Sequence, residues 1–313
     1  MIKNRYSVLC TTALALCVSC GGDDSNSGSN ASSAGLDASL PVAYNNNVNG
    51  NLPEDWVTDF TSIMSHLKTV IPAYQNNFHT INLYAWKGDP NDNSDDLYSG
   101  INGGAYISGN GTSLDFVIEI PPDEFSYDSG HRYSVIAHEY FHTYQMSISS
   151  NFSNNSFKIL WLSEGPAAVF ESIYMQQRYD TNYFIEGQMS ITKSILDNPS
   201  SLESYDTSDS NYSTCVFFIL ILAEEIKTAQ PNLTEAEVYK KIFSEFLEQN
   251  PNSSDWKTHF QSIFGFSVDS FYNKISSYSD VDTSIVYSDS SNSKAYTSLL
   301  PAKTLTIEDI FSE

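Results

Sequence analysis

The stretch from residue 135 to residue 143 reads VIAHEYFHT, and it constrains the chain more than any other. Two histidines, His138 and His142, stand four residues apart in a mostly apolar and aromatic run, with Glu139 between them. On an α-helix these histidines lie one turn apart on the same face, so both imidazoles can reach one metal ion. Glu139 points about 100° away from His138, where it can act on water beside a metal without binding the metal. The alternative is a helix that carries two histidines without a metal.

A hydrolytic zinc site needs a third protein ligand, because three ligands and one open position are the usual arrangement. Downstream the chain reads WLSEGPAAVFE over residues 161–171, at the start of an apolar-periodic helix. Glu164 is the candidate third ligand in this segment. The alternative for Glu164 is a solvated carboxylate at a helix start, which the helix dipole also favours. Pro166 predicts that the helix begins close to Glu164, since proline is tolerated in a first turn.

The segments AHEYFH and WLSEGPA together resemble the gluzincins, the zinc-peptidase clan that includes thermolysin and aminopeptidase N, also described as peptidase MA-like. The resemblance implies a zincin-like fold and one Zn²⁺ per chain, held by His138, His142 and Glu164. It also implies that Glu139 is the general base of a peptide-bond hydrolase. Twenty-one residues separate the second histidine from Glu164, slightly more than in the best-known members, so the connecting loop is expected to be longer.

Two further site residues are expected from this resemblance. The segment NYSTCV is similar to the aminopeptidase-like Tyr-x-x-Gly, which implies that the hydroxyl of Tyr212 stabilises the oxyanion. Cys215 stands where that family has glycine, and with 20 tyrosines in the chain a structural tyrosine is the alternative. Glu171 lies seven residues after Glu164, hence on the same helix face, where it can orient a zinc-binding histidine or form an outward salt bridge. The remaining histidines have no motif context and are expected to be structural: His66, His79, His131 and His259.

The rest of the sequence predicts an α+β architecture. Apolar residues at helical spacing predict a helix within residues 53–72. Alternating patterns predict strands at residues 79–86, 103–107 and 115–120. Over residues 131–278 the pattern is helical, and Thr234 with Glu237 forms a capping box. We therefore expect a small N-terminal mixed sheet followed by a mostly helical region that carries the active-site helix.

The N-terminus predicts export and lipid attachment. A charged start and a short apolar core predict a signal peptide over residues 1–19, too short to span a membrane stably. Ser19 before Cys20 resembles the bacterial lipobox, in which the cysteine is lipidated, although Cys17 stands where leucine is usual. An ordinary cleaved signal is the alternative. Gly21 lacks the aspartate that commonly retains lipoproteins in the inner membrane, so an outer-membrane or surface location is expected for a Gram-negative source.

Composition divides the remainder of the chain into three parts. Residues 20–50 are rich in Gly, Ser, Asn and Asp, which predicts a flexible, lipid-anchored tether. Residues 51–279 are expected to form the zincin-like metallopeptidase domain. Residues 280–313 are rich in serine and acidic residues, which predicts a mobile tail.

The charge balance limits the partners. The chain has 38 acidic against 15 basic residues and a net charge of −23, which argues against nucleic acid or anionic lipid as a partner. Membrane contact is therefore expected through the lipid anchor only, and the expected partner is a peptide or protein substrate. Aminopeptidases of the clan hold the substrate amine with an acid in a Gly-x-Met-Glu-Asn strand. The comparable residues 103–108 read GGAYIS and contain no acid, which favours an endopeptidase.

Two other functions remain open from the sequence. The chain could be a catalytically inactive surface lipoprotein that keeps the zincin fold for binding. It could also be a zinc hydrolase of non-peptide esters or amides. Glu139 argues against the first alternative, because a structural zinc site needs no base and closes its fourth position with a fourth ligand.

Overall fold

The computed structural model describes most of the chain between residues 36 and 312. The described residues are 36–88, 98, 101–186, 191–205, 209–278 and 298–312. The predicted signal peptide at residues 1–19, the lipidated Cys20 and most of the tether lie outside them. In the part of the chain so described, no helix combines the length and apolarity needed to cross a membrane.

A four-stranded sheet precedes the helices and is mixed, as predicted. Its strands are β1 (Ala43–Val48), β2 (Thr80–Lys87), β3 (Ala105–Asn110) and β4 (Ser113–Ile120). The spatial order is β1-β2-β4-β3, with β1, β2 and β4 parallel and β3 antiparallel to β4 at one edge. The alternation predicted for β2 is present, because Ile81 and Leu83 are buried while Asn82 lies on the outer face.

Strand β1 corrects the prediction that residues 20–50 are wholly a flexible tether. Its sequence AYNNNV offers little apolar surface, so composition indicated a tether. An edge strand is held mainly by its backbone ladder, which here pairs with β2 along the whole strand. The side chain of Asn45 also donates to Asn82 at 3.0 Å, and Lys68 lies 3.5 Å from the ring centre of Tyr44. The folded part therefore begins before residue 51.

The helices follow in the region where helical periodicity predicted them. They are α1 (Glu54–Val70), α2 (His131–Ile148), α3 (Ser150–Ser153), α4 (Leu160–Tyr179), α5 (Tyr183–Glu186), α6 (Lys193–Asp197), α7 (Asp209–Ala229), α8 (Glu235–Lys240), α9 (Phe246–Glu248), α10 (Trp256–Phe264), α11 (Val268–Ser276) and α12 (Ile307–Phe311). A π-helical turn, Lys241–Glu245, joins α8 to α9. The capping box of Thr234 and Glu237 is present at the start of α8 and confirms that prediction.

Helix α4 lies at the centre of the helical region, packed between α2 and α7. Every side chain of α4 from Leu160 to Gln176 is buried, and so is the run Cys215–Leu222 of α7. The inner face of the sheet meets α2 through β3 and β4. A helix buried all round must belong to the interior, so any polar group on α4 needs a partner within the protein.

Helix α4 begins about one turn earlier than Pro166 suggested. The carbonyl of Ile159 accepts hydrogen bonds from the backbone N–H groups of Leu162 and Ser163, at 3.1 and 3.0 Å. Pro166 therefore lies inside the helix and not in its first turn. Proline has no N–H, so the carbonyl of Leu162 lacks its usual partner four residues on. The remaining helix accommodates this loss because α4 is supported on all sides.

The C-terminal segment corrects the prediction of a mobile tail over residues 280–313. Residues 298–312 are placed against the helices, and Thr306 with Asp309 caps α12. Ile307 and Ile310 are 0% and 1% exposed, and burial of such side chains is worth about 1.5–3 kcal/mol each. Composition missed this short apolar group because it follows a long polar stretch. Residues 279–297 lie outside the described part of the chain.

Candidate metal centre

Three predicted ligands converge between α2 and α4. His138, His142 and Glu164 are 8%, 7% and 2% exposed, and their candidate ligand atoms all lie within 4.8 Å of one another. The two Nε2 atoms are 3.1 Å apart, and Oε2 of Glu164 lies 3.4 Å from that of His138 and 3.1 Å from that of His142. Two ring nitrogens and a carboxylate oxygen that converge at such distances could hold one metal ion. The burial of Glu164 excludes the solvated carboxylate considered from the sequence.

Each histidine of the triad has a hydrogen-bond partner at Nδ1, the ring nitrogen that does not face Glu164. Nδ1 of His138 lies 2.5 Å from Oε2 of Glu171, in the position that the sequence suggested for that glutamate. Nδ1 of His142 lies 2.7 Å from Oε1 of Gln145, which the sequence analysis did not single out. The usable signal for Gln145 was its spacing, three residues after His142 on the same helix face. Both rings therefore direct Nε2 towards Glu164.

The ionisation of Glu164 within the triad favours the binding of a cation. Burial opposes ionisation of Glu164, but the charges and hydrogen bonds of His142 and His138 outweigh it and lower its pKa to about 2. Burial also disfavours the charged form of both histidines, yet the neighbouring glutamates raise their pKa above the ordinary value. The site thus attracts positive charge strongly, and a metal ion that binds there replaces protons.

Glu139 is buried beside the triad without a hydrogen-bond partner. It is 1% exposed, and neither carboxylate oxygen has a partner among the described residues. Burial raises its pKa, while the charges of His138 and His142 act in the opposite direction. An unpartnered buried carboxylate is costly, so this position fits a site that also holds a cation and water. Two imidazoles and one carboxylate are also a donor set that zinc accepts in catalytic sites.

Tyr212 of α7 brings a second unpartnered group to the same place. Its hydroxyl is buried and has no hydrogen-bond partner in the described part of the chain. Burial raises the pKa of Tyr212 far above its ordinary value, and the charges of Glu164 and Glu139 raise it further. The hydroxyl therefore stays protonated and can donate. Tyr212 is thus close enough to Glu164 and Glu139 to feel the charge of both.

Tyr205, in the segment before α7, is a site neighbour that the sequence analysis missed. Its pKa is raised by burial of the hydroxyl and then by the charge of Glu164. The residue as a whole is 38% exposed. Its position in an irregular segment offers no periodicity from which this proximity could have been predicted.

Gly165 explains how α7 approaches the triad so closely. A Cβ atom at this position would lie 2.7 Å from Cγ1 of Ile219 and 2.9 Å from the backbone oxygen of Cys215. Only glycine permits this contact between α4 and α7. The Glu-Gly pair of the motif thus combines a candidate ligand with the close helix packing that positions Tyr212.

The four other histidines have partners outside the triad. They contact Glu308 (His66, 2.7 Å), Gln75 (His79, 2.9 Å), Glu124 (His131, 2.8 Å) and Asp255 (His259, 3.7 Å). The structure does not bring any of them into the group of three ligand atoms.

No model of a known protein family matches this chain, and no characterised protein matches it. What the structure shows is a mixed α+β fold with a buried His-His-Glu group that could hold a metal ion.

Proposed function

We propose that this protein is a zinc-dependent peptidase that cleaves internal peptide bonds. The observation that carries the proposal is the convergence of three buried ligand groups beside Glu139, whose carboxylate has no hydrogen-bond partner among the described residues. A zinc ion, one per chain, would be held by His138, His142 and Glu164. When bound, it would supply a Lewis acid and make water nucleophilic near neutral pH.

The side chains that contact the Nδ1 atoms of the two histidines determine which ring nitrogen is free to bind a metal. Glu171 accepts a hydrogen bond from Nδ1–H of His138 and so leaves the Nε2 lone pair for the metal. Its negative charge also increases the basicity of that ring. In this proposal Glu171 is a positioning residue and does not touch the substrate.

Glu139 is the general base in this proposal. Its carboxylate is next to the triad but is not part of the ligand group. Burial raises its pKa from the ordinary value, which brings it closer to the pH at which a base both stays ionised and accepts a proton well. Glu139 takes a proton from the attacking water and returns it to the leaving amine.

Tyr212 stabilises the charge that develops on the scissile carbonyl oxygen. Its hydroxyl is protonated, buried and unengaged, so it can donate to an oxyanion without first breaking another hydrogen bond. A donor aimed in advance at developing charge is the most effective kind of electrostatic catalyst.

The edge strand β3 supports the choice of an extended peptide substrate. Among the described strands, β3 pairs only with β4 and stands at the end of the sheet order. Its free edge can offer backbone hydrogen bonds to a peptide in the manner of an added strand. The absence of an acid in residues 103–108 removes the expected anchor for a free amino terminus and favours cleavage within the chain.

We also propose that the protein is an exported bacterial lipoprotein, held at the outer membrane or cell surface through Cys20. This proposal is carried by the sequence of residues 1–21 alone.

Substitution of Glu139 by Gln tests the catalytic proposal. The amide keeps the shape of the side chain but cannot accept the water proton, so hydrolysis should fall by about 10²–10⁴-fold. Zinc content, measured by atomic emission, and melting temperature should stay near those of the wild type. Casein, peptide libraries and esters serve as substrates, each with and without chelator.

Two comparison variants complete this experiment. His142→Ala should lose both zinc and activity, whereas Glu248→Gln on α9 makes the same isosteric change outside the site and should keep both. Full activity of Glu139→Gln on a chelator-sensitive substrate would refute the base assignment. A wild type that holds zinc and hydrolyses nothing would establish the binding lipoprotein instead, and cleavage of esters alone would establish the non-peptide hydrolase.

A further inference from the structure

We infer that Gln145 is a positioning residue that fixes the tautomer of His142 and thereby sets the affinity of the site for zinc. The inference rests on the proposed zinc site but not on the nature of the substrate. Its basis is a hydrogen-bond chain that runs from His142 through Gln145 to the backbone of Ser163.

The chain of hydrogen bonds has one consistent orientation. The backbone oxygen of Ser163 can only accept, so the amide nitrogen of Gln145 faces it and donates, at 3.1 Å. The amide oxygen must then face His142, 2.7 Å from Nδ1, and can only accept. Nδ1 of His142 therefore carries hydrogen, and in the neutral ring the lone pair is on Nε2, the atom that faces Glu164.

Burial makes this orientation costly to change. Gln145 is 0% exposed, and so is Ser163, so water cannot replace either partner. A reversed amide would place its oxygen against the backbone oxygen of Ser163, a buried repulsion between two acceptors. The tautomer of His142 is thus determined by the backbone of α4.

A neutral partner also suits the charge of the site. Glu139, Glu164 and Glu171 already place three carboxyl groups around two histidines. An amide orients His142 without adding a fourth. Because Ser163 directly precedes Glu164, the same hydrogen-bond chain ties the second ligand on α2 to the third ligand on α4.

The test is the zinc affinity of Gln145→Met, measured by competition with a chromophoric chelator on the folded, metal-free protein. Methionine keeps the length and burial of the side chain but cannot accept from Nδ1–H. Loss of such an outer partner typically weakens metal binding by about 10–100-fold. Gln145→Glu should recover most of the lost affinity at a pH where its buried carboxyl is protonated, because one oxygen then donates to the backbone oxygen of Ser163 and the other accepts from Nδ1–H.

Gln176→Met is the matched control. Gln176 is also a buried glutamine, on α4, but its amide contacts the backbone of Ala302 at 3.4 Å and none of the ligands. Its zinc affinity should equal that of the wild type. The inference is overturned if Gln145→Met binds zinc within about threefold of the wild type. It is also overturned if Gln145→Glu binds no better than Gln145→Met, or if Gln176→Met loses as much. A wild type without zinc affinity would instead defeat the proposed function.

Discussion

A carboxylate buried without a hydrogen-bond partner costs free energy, and within the described part of the chain Glu139 is such a group. The hydroxyl of Tyr212, on a different helix, is also buried and unpaired. Two polar groups of this kind within reach of the same triad are difficult to explain by folding alone. They are explained if a cation, water and substrate complete their contacts, because active sites retain groups that the free protein leaves unsatisfied.

The Tyr212 hydroxyl gives a prediction at this scale. Tyr212→Phe removes the proposed oxyanion donor, so kcat should fall by about 10²-fold. Zinc content should not change, because Tyr212 is not among the ligand atoms. Melting temperature should stay equal or rise slightly, since the lost hydroxyl has no partner.

Tyr239→Phe is the control for this prediction, because it removes the hydroxyl of another buried tyrosine on α8, a helix that carries none of the proposed site residues. Its kcat and zinc content should match those of the wild type. An unchanged kcat in Tyr212→Phe would show that Tyr212 is structural.

Residue spacing predicted the ligands but not their surroundings. The four-residue spacing of His138 and His142 defines a helix face, and the structure places both rings on that face beside Glu164. Gln145 and Tyr205 belong to no motif. Gln145 reaches His142 through helix spacing alone, but its hydrogen bond to the backbone of Ser163 depends on the packing of α2 on α4, and the position of Tyr205 depends on the course of an irregular segment. No local pattern records either of these.

At the scale of secondary-structure elements, sequence periodicity predicted the helices and strands that bury a regular apolar face. It missed the elements that lack one. Helix α1 and strand β2 have regular apolar spacing, and both occur where expected. Strand β1 has little apolar surface and is held by backbone pairing, while α12 is too short to show a period. The start of α4 was misplaced because Pro166 is tolerated inside a fully buried helix.

The close packing of α4 on α7 predicts that a larger residue at Gly165 destabilises the protein. Alanine is normally favoured over glycine in a helix interior by about 1 kcal/mol. At Gly165 the added Cβ would meet the backbone oxygen of Cys215 at 2.9 Å, which cannot move independently of α7. Overpacking of this kind costs about 1–3 kcal/mol, so Gly165→Ala should lower the free energy of unfolding in denaturant titrations.

Gly50→Ala is the matched control, because a Cβ atom there has no neighbour within 4 Å. It should leave the denaturation midpoint nearly unchanged. Gly165→Ala should also lose hydrolytic rate, since a shift of α7 moves Tyr212. Equal midpoints for the two variants would contradict the close-packing argument.

At the scale of the whole molecule, the C-terminal segment, residues 298–312, contacts helices that are distant from it in the sequence. Glu308 of α12 contacts His66 of α1 at 2.7 Å and accepts from Gln177 of α4 at 2.7 Å. Phe311 packs edge-on against Tyr144 of α2. The last described residues thus join three helices around the triad, which compositional reasoning about the tail could not foresee.

Net charge and the N-terminal sequence together give the last prediction. A chain of charge −23 is repelled by anionic bilayers. If lipid on Cys20 is the attachment, electrostatic attraction to the bilayer cannot replace it. Cys20→Ser should therefore abolish labelling by radioactive palmitate and release the protein from the detergent phase entirely. Cys17→Ser is the matched control and should keep both properties, because bulky Leu16 makes Cys17 a poor site for processing. Recovery of the wild type as a soluble periplasmic protein, or retention of Cys20→Ser in the detergent phase, would refute the anchor.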